Sequence, residues 1–266
     1  LHPTRRAEGI GYYGLSNNIA SAIAPALAIY LLNITHNYNL LFWLAFLTSA
    51  IGLGINATLK LNPRELIKDK PKISLDRFFL LKGWSEGLSM MCLSFSYGVT
   101  ATYVAIYGKE TLNISGGSAV FFMLLSAGLI LSRLVGSRTL RQGKITQNAS
   151  VGILISLCGY LMFALLQNPI GYYGSAFIVG LGNGHMWPAY QTMFLNLAPH
   201  TQRGTANSSI LISWDIGVGL GTLIGGAIAE HCGYQQAFIA SALVNLIGII
   251  IFFGYAKNDF LKNKLR

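Results

Sequence analysis

Asp215 is the only charged residue between Arg203 and Glu230, inside the apolar stretch TANSSILISWDIGVGLGTLIGGAIA. At about 1.5 Å per helical residue the stretch is long enough to cross a bilayer, and Asp215 falls about 12–18 Å in from its Arg203 end. A carboxylate near the middle of a hydrocarbon core costs about 2.5–3.5 kcal/mol on insertion scales, so such residues ordinarily face a cavity and serve ions or substrate. The other reading is a protonated acid hydrogen-bonded to a neighbouring helix. At 100° per residue Ser208 and Thr222 share the Asp215 face, together with Gly219 and Gly226, while Gly217, Gly221 and Gly225 take the opposite side. One side of this helix can therefore pack closely and the other can present oxygen ligands. Ser and Thr also bond the backbone of their own helix, so the polar stripe has an inert reading as well.

Other spans carry similar groups. Asn183, Trp187 and Tyr190 follow i, i+4, i+7 spacing; a buried Asn needs a partner, and aromatic faces suit an apolar or cationic guest. They line a path, or they pack between helices with their polar tips satisfied locally. Ser96, Thr100, Tyr103 and Tyr107 form another stripe with the same two readings. His185 is a structural hydrogen-bonder or part of a proton relay. Glu86 lies one turn past Lys82 and forms an interfacial ion pair with it or joins the relay, and Arg133 ends a span and snorkels. Cys92, Cys158 and Cys232 have no CxxC spacing, and His185, His231 and Cys232 form no ligand cluster, so neither a disulfide framework nor a metal site is expected. No nucleophile–base constellation, HExxH or phosphate-cradling loop is present, which argues against an enzyme and against a bound cofactor.

Positioning these groups requires membrane helices. Of the 266 residues 53% are hydrophobic and only 11% charged, against about 25% charged in soluble domains. The apolar pattern predicts eight spans, at 10–32, 40–60, 83–107, 117–136, 148–167, 170–195, 207–229 and 235–256. The net charge of +10 is not a nucleic-acid signature, because of where it lies. With loops numbered alternately, 18 of the 19 Lys and Arg residues fall on one side and Lys109 alone on the other. This positive-inside pattern predicts a multi-pass protein with both termini in the cytoplasm. The long charged connection 61–77, LNPRELIKDKPKISLDR, reads as a cytoplasmic joint between 1–60, the last two helices of one half, and 78–266, a second half of six helices. A start on Leu1, directly at a loop, predicts helices upstream.

A shift of about 197 residues places Asn18 over Asp215, and Ala20, Ala24 and Ala28 over Gly217, Gly221 and Gly225. Small-xxx-small spacing lets helix backbones approach where lipid offers no hydrophobic drive, and parallel repeats are a known transporter plan.

These residues resemble the major facilitator superfamily, whose members have twelve helices in two similar halves. Ala20-x-x-x-Ala24-Pro25-x-x-Ala28 resembles that family's fifth-helix antiporter motif, GxxxGPxxGG, with Ala in place of Gly. GSRTLRQGK (136–144) resembles the second-half copy of its loop motif, GxxxDRxGRK: Gly136, Arg141, Gly143 and Lys144 match, and Leu140 stands at the Asp position. GLGNGHMWPAYQ (180–191) and WDIGVGLGTLIGG (214–226) resemble its tenth and eleventh helices. The resemblance implies an all-α polytopic fold covering helices five to twelve, with the drug or sugar efflux proteins as the nearest subgroup. It implies a secondary transporter, a proton-coupled exporter of a small organic molecule that works as a monomer in a cell membrane, the bacterial inner membrane. On that reading Asp215 carries the coupling proton or binds a cationic group, and Asn18, Ser96, Thr100, Tyr103, Asn183, Trp187, Tyr190, Ser208 and Thr222 line the path. An uptake symporter of the same fold, a non-transporting receptor and a degenerate remnant are the alternatives.

Overall fold

The computed structural model describes residues 20, 23–24, 27–32, 34–59, 78–114 and 116–265. Asn18, Pro25 and the 61–77 connection lie outside the described residues. Ala20 and Ala24 are exposed and Ala28 is half-buried, so the close packing expected of Ala20 and Ala24 finds no partner among the described residues.

Seven long helices follow: α1 (Tyr38–Ala57), α2 (Trp84–Glu110), α3 (Gly117–Arg141), α4 (Ile145–Leu165), α5 (Pro169–Leu197), α6 (Arg203–Cys232) and α7 (Tyr234–Ile251). A π turn at Phe252–Ala256 carries α7 into the short α8 (Lys257–Asn263). Five helical stretches among the described residues are long and apolar enough to cross a membrane: Tyr38–Ala57, Leu81–Glu110, Ile145–Leu165, Arg203–Cys232 and Tyr234–Asn263. The expected boundaries for the first four of these agree to within four residues, whereas the last runs seven residues past the expected end at 256. In α3 the apolar part is Gly117–Arg133, but the helix continues to Arg141. The 29-residue α5 is long enough to cross but carries Asn183, His185, Gln191 and Asn196, and it is buried along much of its length.

Local chemistry sets the ends. Asn168 caps α5 by accepting from the Gly171 amide at 2.7 Å, and Pro169 occupies the first turn, where no amide partner is lost. Gly143 (φ +74°) ends α3, with its amide bonded to the Leu140 carbonyl at 3.0 Å. Gly233 (φ +95°) makes the sharp turn between α6 and α7.

Helices α2 to α7 form one body built twice over. The first helix of the triplet α2–α4 packs on α6 and α7; the first helix of the triplet α5–α7 packs on α3 and α4. Helices α4 and α7 then meet each other. Exchanging the two triplets reproduces the pairing, which is the three-plus-three inverted repeat found within halves of some transporters. The close contacts obey the same exchange. A Cβ on Gly98 of α2 would collide with the Val218 backbone of α6, and one on Gly180 of α5 with the Leu125 backbone of α3. Helix α1 contributes no buried residue.

Candidate substrate path

Helix α6 owes its orientation to glycine. Gly217, Gly221 and Gly225 are buried against α2, where a Cβ would strike Met91, Phe95 and Val99 respectively. With that side seated, the opposite side is fixed. Asp215 and Ser208 are exposed there, and a Cβ on Gly219 would meet nothing within 4 Å. Thr222, farther along the stripe, is tied to α2: its hydroxyl lies 3.0 Å from that of Thr102, and its carbonyl accepts from the Tyr103 hydroxyl at 2.8 Å.

Next to Asp215, Trp214 turns toward α2 and α5. Its ring centroid lies 5.2 Å from that of Tyr97 and 5.0 Å from that of Trp187, the latter edge-on at 86°. One turn nearer the Leu197 end of α5, the Gln191 amide donates to Asn207 at 3.1 Å. Trp187 and Gln191 are four residues apart on α5, and Trp214 and Asn207 seven apart on antiparallel α6, so aromatic meets aromatic and amide meets amide. Trp187 is expected at such a site from its spacing, whereas Trp214, Tyr97, Gln191 and Asn207 are not. The signal was this matching order on two facing helices.

Most of the other expected path residues turn into the bundle. Ser96 donates to the Ser241 carbonyl of α7 at 2.6 Å, and Thr100 is buried with no hydrogen-bond partner. Tyr107 packs against Phe163 and Phe238 at 5.5 and 5.0 Å. Asn183 faces α4, accepting from Ser156 at 3.0 Å and donating to Tyr160 at 3.5 Å. Tyr190 is fully buried 2.8 Å from Ser89, whose own hydroxyl donates to the Gly248 carbonyl at 2.8 Å. For Ser96, Asn183 and Tyr190 the lining role thus gives way to one of joining helices, because a polar group in a span turns to the nearest partner. Tyr190→Phe is accordingly expected to lower stability by about 1 kcal/mol, the value of one hydrogen bond, and to leave transport intact. The unfolding temperature and transport rate of the purified variant check this.

Glu86 is also buried, accepting from the Ser85 hydroxyl at 3.0 Å, while Lys82 is exposed; the expected ion pair is replaced by this local bond. His185 is held by Asn148 of α4. In the loop motif Gly136 is buried beneath that pair, Gly143 makes the turn and Lys144 is exposed. The Arg141 side chain lies outside the described residues. Leu140, at the motif's Asp position, packs against the core. No group of three or more potential metal ligands occurs among the described residues.

A polytopic helical body with an internal inverted repeat, and a carboxyl group that no helix covers among the described residues, fits a membrane transporter fold. The chain matches the Major Facilitator Superfamily over residues 1–217 and again over 149–264, and it belongs to that family. It is 21% identical over 267 aligned positions to the staphylopine export protein of Staphylococcus aureus, covering 95% of this chain and 66% of that one. It is 26% identical over 168 positions to an uncharacterised MFS-type transporter of Burkholderia mallei, covering 62% of this chain and 40% of the relative. Among solved structures, a bacterial homologue of the human lysosomal transporter Spinster, inward-facing and occupied, superposes with a TM-score of 0.64 at 17% identity. That match covers 98% of this chain and 72% of the other. A peptide transporter, POT, with sulfate bound, superposes at 0.60 and 16% identity over 77% of this chain and 42% of the other. The chain therefore spans 40–66% of the curated relatives described here.

Proposed function

We propose that this chain is part of a proton-coupled exporter of a small organic molecule, in which residues 78–266 form the second half and 1–60 the end of the first. The observation that carries it is Asp215: an acid in mid-span, exposed on the six-helix body, beside the Trp187–Trp214–Tyr97 cluster. A carboxyl group is costly against acyl chains, so that face belongs to a water-accessible path in the assembled protein. There the acid takes and releases the coupling proton, and the aromatic rings receive the apolar part of the substrate. Similarity to the staphylopine export protein supports the outward direction. The protein is not an enzyme on this reading; it works as a monomer in the bacterial inner membrane, with both termini in the cytoplasm.

Cysteine labelling tests the path. In the complete protein Ser208→Cys reacts with a membrane-impermeant maleimide, whereas Leu223→Cys, an exposed apolar position on the same helix, stays unlabelled until the membrane is dissolved. Equal protection of both positions excludes a water-lined face at α6. The same reagent fixes the orientation: Gln142→Cys is expected to react only from the cytoplasmic side and Asn113→Cys only from outside. External labelling of Gln142→Cys in intact cells overturns the assignment.

A further inference from the structure

Arg133 lies within α3, eight residues before the helix ends. The residue is half-buried, and its Nε is buried with no hydrogen-bond partner. Seven residues earlier on the same helix face, the Ser126 hydroxyl is likewise buried and unpartnered. Gly136, the next turn of α3, lies directly beneath the His185 ring: a Cβ there would come 2.5 Å from Nδ1 and 3.2 Å from the Asn148 Oδ1. Arg133, three residues before Gly136, stands one helical turn from the glycine that meets the His185 ring.

The ring's hydrogen bonds fix what it can offer. Asn148 Nδ2 donates to the His185 backbone carbonyl at 2.8 Å, which orients the amide and leaves Asn148 Oδ1 facing the ring at 3.0 Å from Nδ1. An amide oxygen only accepts, so Nδ1 carries the hydrogen, and Nε2 of the neutral ring is left as an acceptor. Two opposite capacities therefore stand within about one turn of α3. Arg133 offers N–H donors and a fixed positive charge; His185 offers an acceptor whose ring cannot turn without breaking the Asn148 bond. A buried guanidinium Nε without an acceptor is costly, and a carboxylate meets it side-on through Nε and one Nη.

We propose that Arg133 and His185 form a substrate subsite for a carboxylate that bears an adjacent hydroxyl or amine, the carboxylate on Arg133 and the neighbouring O–H or N–H donating to His185 Nε2. This rests on the transporter reading in that the ligand is taken to be the transported molecule. It adds the substrate class, and binding can be read without transport. Gly136 belongs to the site as the residue whose missing side chain admits the His185–Asn148 pair.

Citrate and tricarballylate are suitable probes, since they carry the same three carboxylates and differ by one hydroxyl. Calorimetry on the complete purified protein, at constant ionic strength, is expected to show citrate binding about tenfold more tightly than tricarballylate, the value of one well-placed hydrogen bond. Arg133→Gln weakens both by about 100-fold, as loss of a charge-assisted pair does. Arg133→Lys keeps the charge, protects folding and still loses about tenfold, because an ammonium cannot make the side-on pair. His185→Gln removes the preference for citrate while tricarballylate binding persists. The citrate preference and its loss in His185→Gln are read by binding alone, so they stand or fall separately from the effect of Asp215→Asn on pH-driven transport. No citrate binding at millimolar concentration, undiminished binding in Arg133→Gln, or a citrate preference that survives in His185→Gln overturns the proposal.

Discussion

Asp215→Asn in the complete protein is expected to leave abundance and unfolding temperature unchanged and to abolish transport driven by a pH gradient. The two halves of this expectation come from different features of α6. Stability is insensitive because the helix is held from its other side by Gly217, Gly221 and Gly225, and Asp215 itself is exposed on the six-helix body. Asn preserves size and hydrogen bonding, so whatever polar surface meets this face in the assembled protein still finds a partner. Transport is sensitive because the amide cannot carry a proton on and off. A coupled carrier moves uphill only if the loaded and empty forms differ in protonation, and removing the titrating group leaves downhill exchange at most. The measurement is substrate flux in proteoliposomes with and without an imposed pH gradient, normalised to protein content. An acid that serves only packing gives the reverse pattern, in which Asn is tolerated and Asp215→Ala unfolds the protein. Gradient-driven flux at the wild-type rate in the Asn variant ends the coupling role.

The helices were legible in the sequence because membrane crossing demands length and apolarity, and both can be read residue by residue. The glycine stripe on α6 was legible for a related reason: small residues at four-residue spacing have one physical use between helices, and the structure puts Gly217, Gly221 and Gly225 there. The continuation of α3 to Arg141 was not, since its last turns carry charges that look like a loop once the apolar run stops at Arg133. The direction of polar side chains was the least legible feature. Periodicity groups Asn183, Trp187 and Tyr190 on one broad face, yet Asn183 turns to Ser156 and Tyr160, Tyr190 to Ser89, and only Trp187 reaches Trp214. Which neighbour a helix face meets depends on the three-plus-three pairing, and that pairing is a property of six helices together. Tyr97 and Trp214 went unnoticed because each is unremarkable on its own helix and acquires a role only across the contact.

Gly221→Leu is expected to be the most damaging single substitution in the body, whereas Gly219→Leu, two residues away, has little effect on folding. A Cβ at Gly221 would overlap the Phe95 carbonyl oxygen and approach its Cα to 3.1 Å; at Gly219 it would meet nothing within 4 Å. The obstacle is backbone, which cannot rotate aside as a side chain can. Across the same interface Gly98 approaches Val218 of α6 just as closely, with a built Cβ 2.8 Å from the Val218 Cα, so α2 and α6 touch main chain to main chain from both sides. Overpacking a tight site costs about 1–3 kcal/mol when side chains can yield, and more where two helices must separate. Such separation also opens the Thr102–Thr222 contact and the Tyr103–Thr222 bond that hold the Cys232 half of α6 to α2. The comparison is read as membrane abundance and unfolding temperature of the two leucine variants, purified side by side. A low unfolding temperature in Gly221→Leu with a normal one in Gly219→Leu assigns the packed and open faces of α6. If the two variants are equally stable, the faces are wrongly assigned, and the orientation of Asp215 that depends on them fails with it.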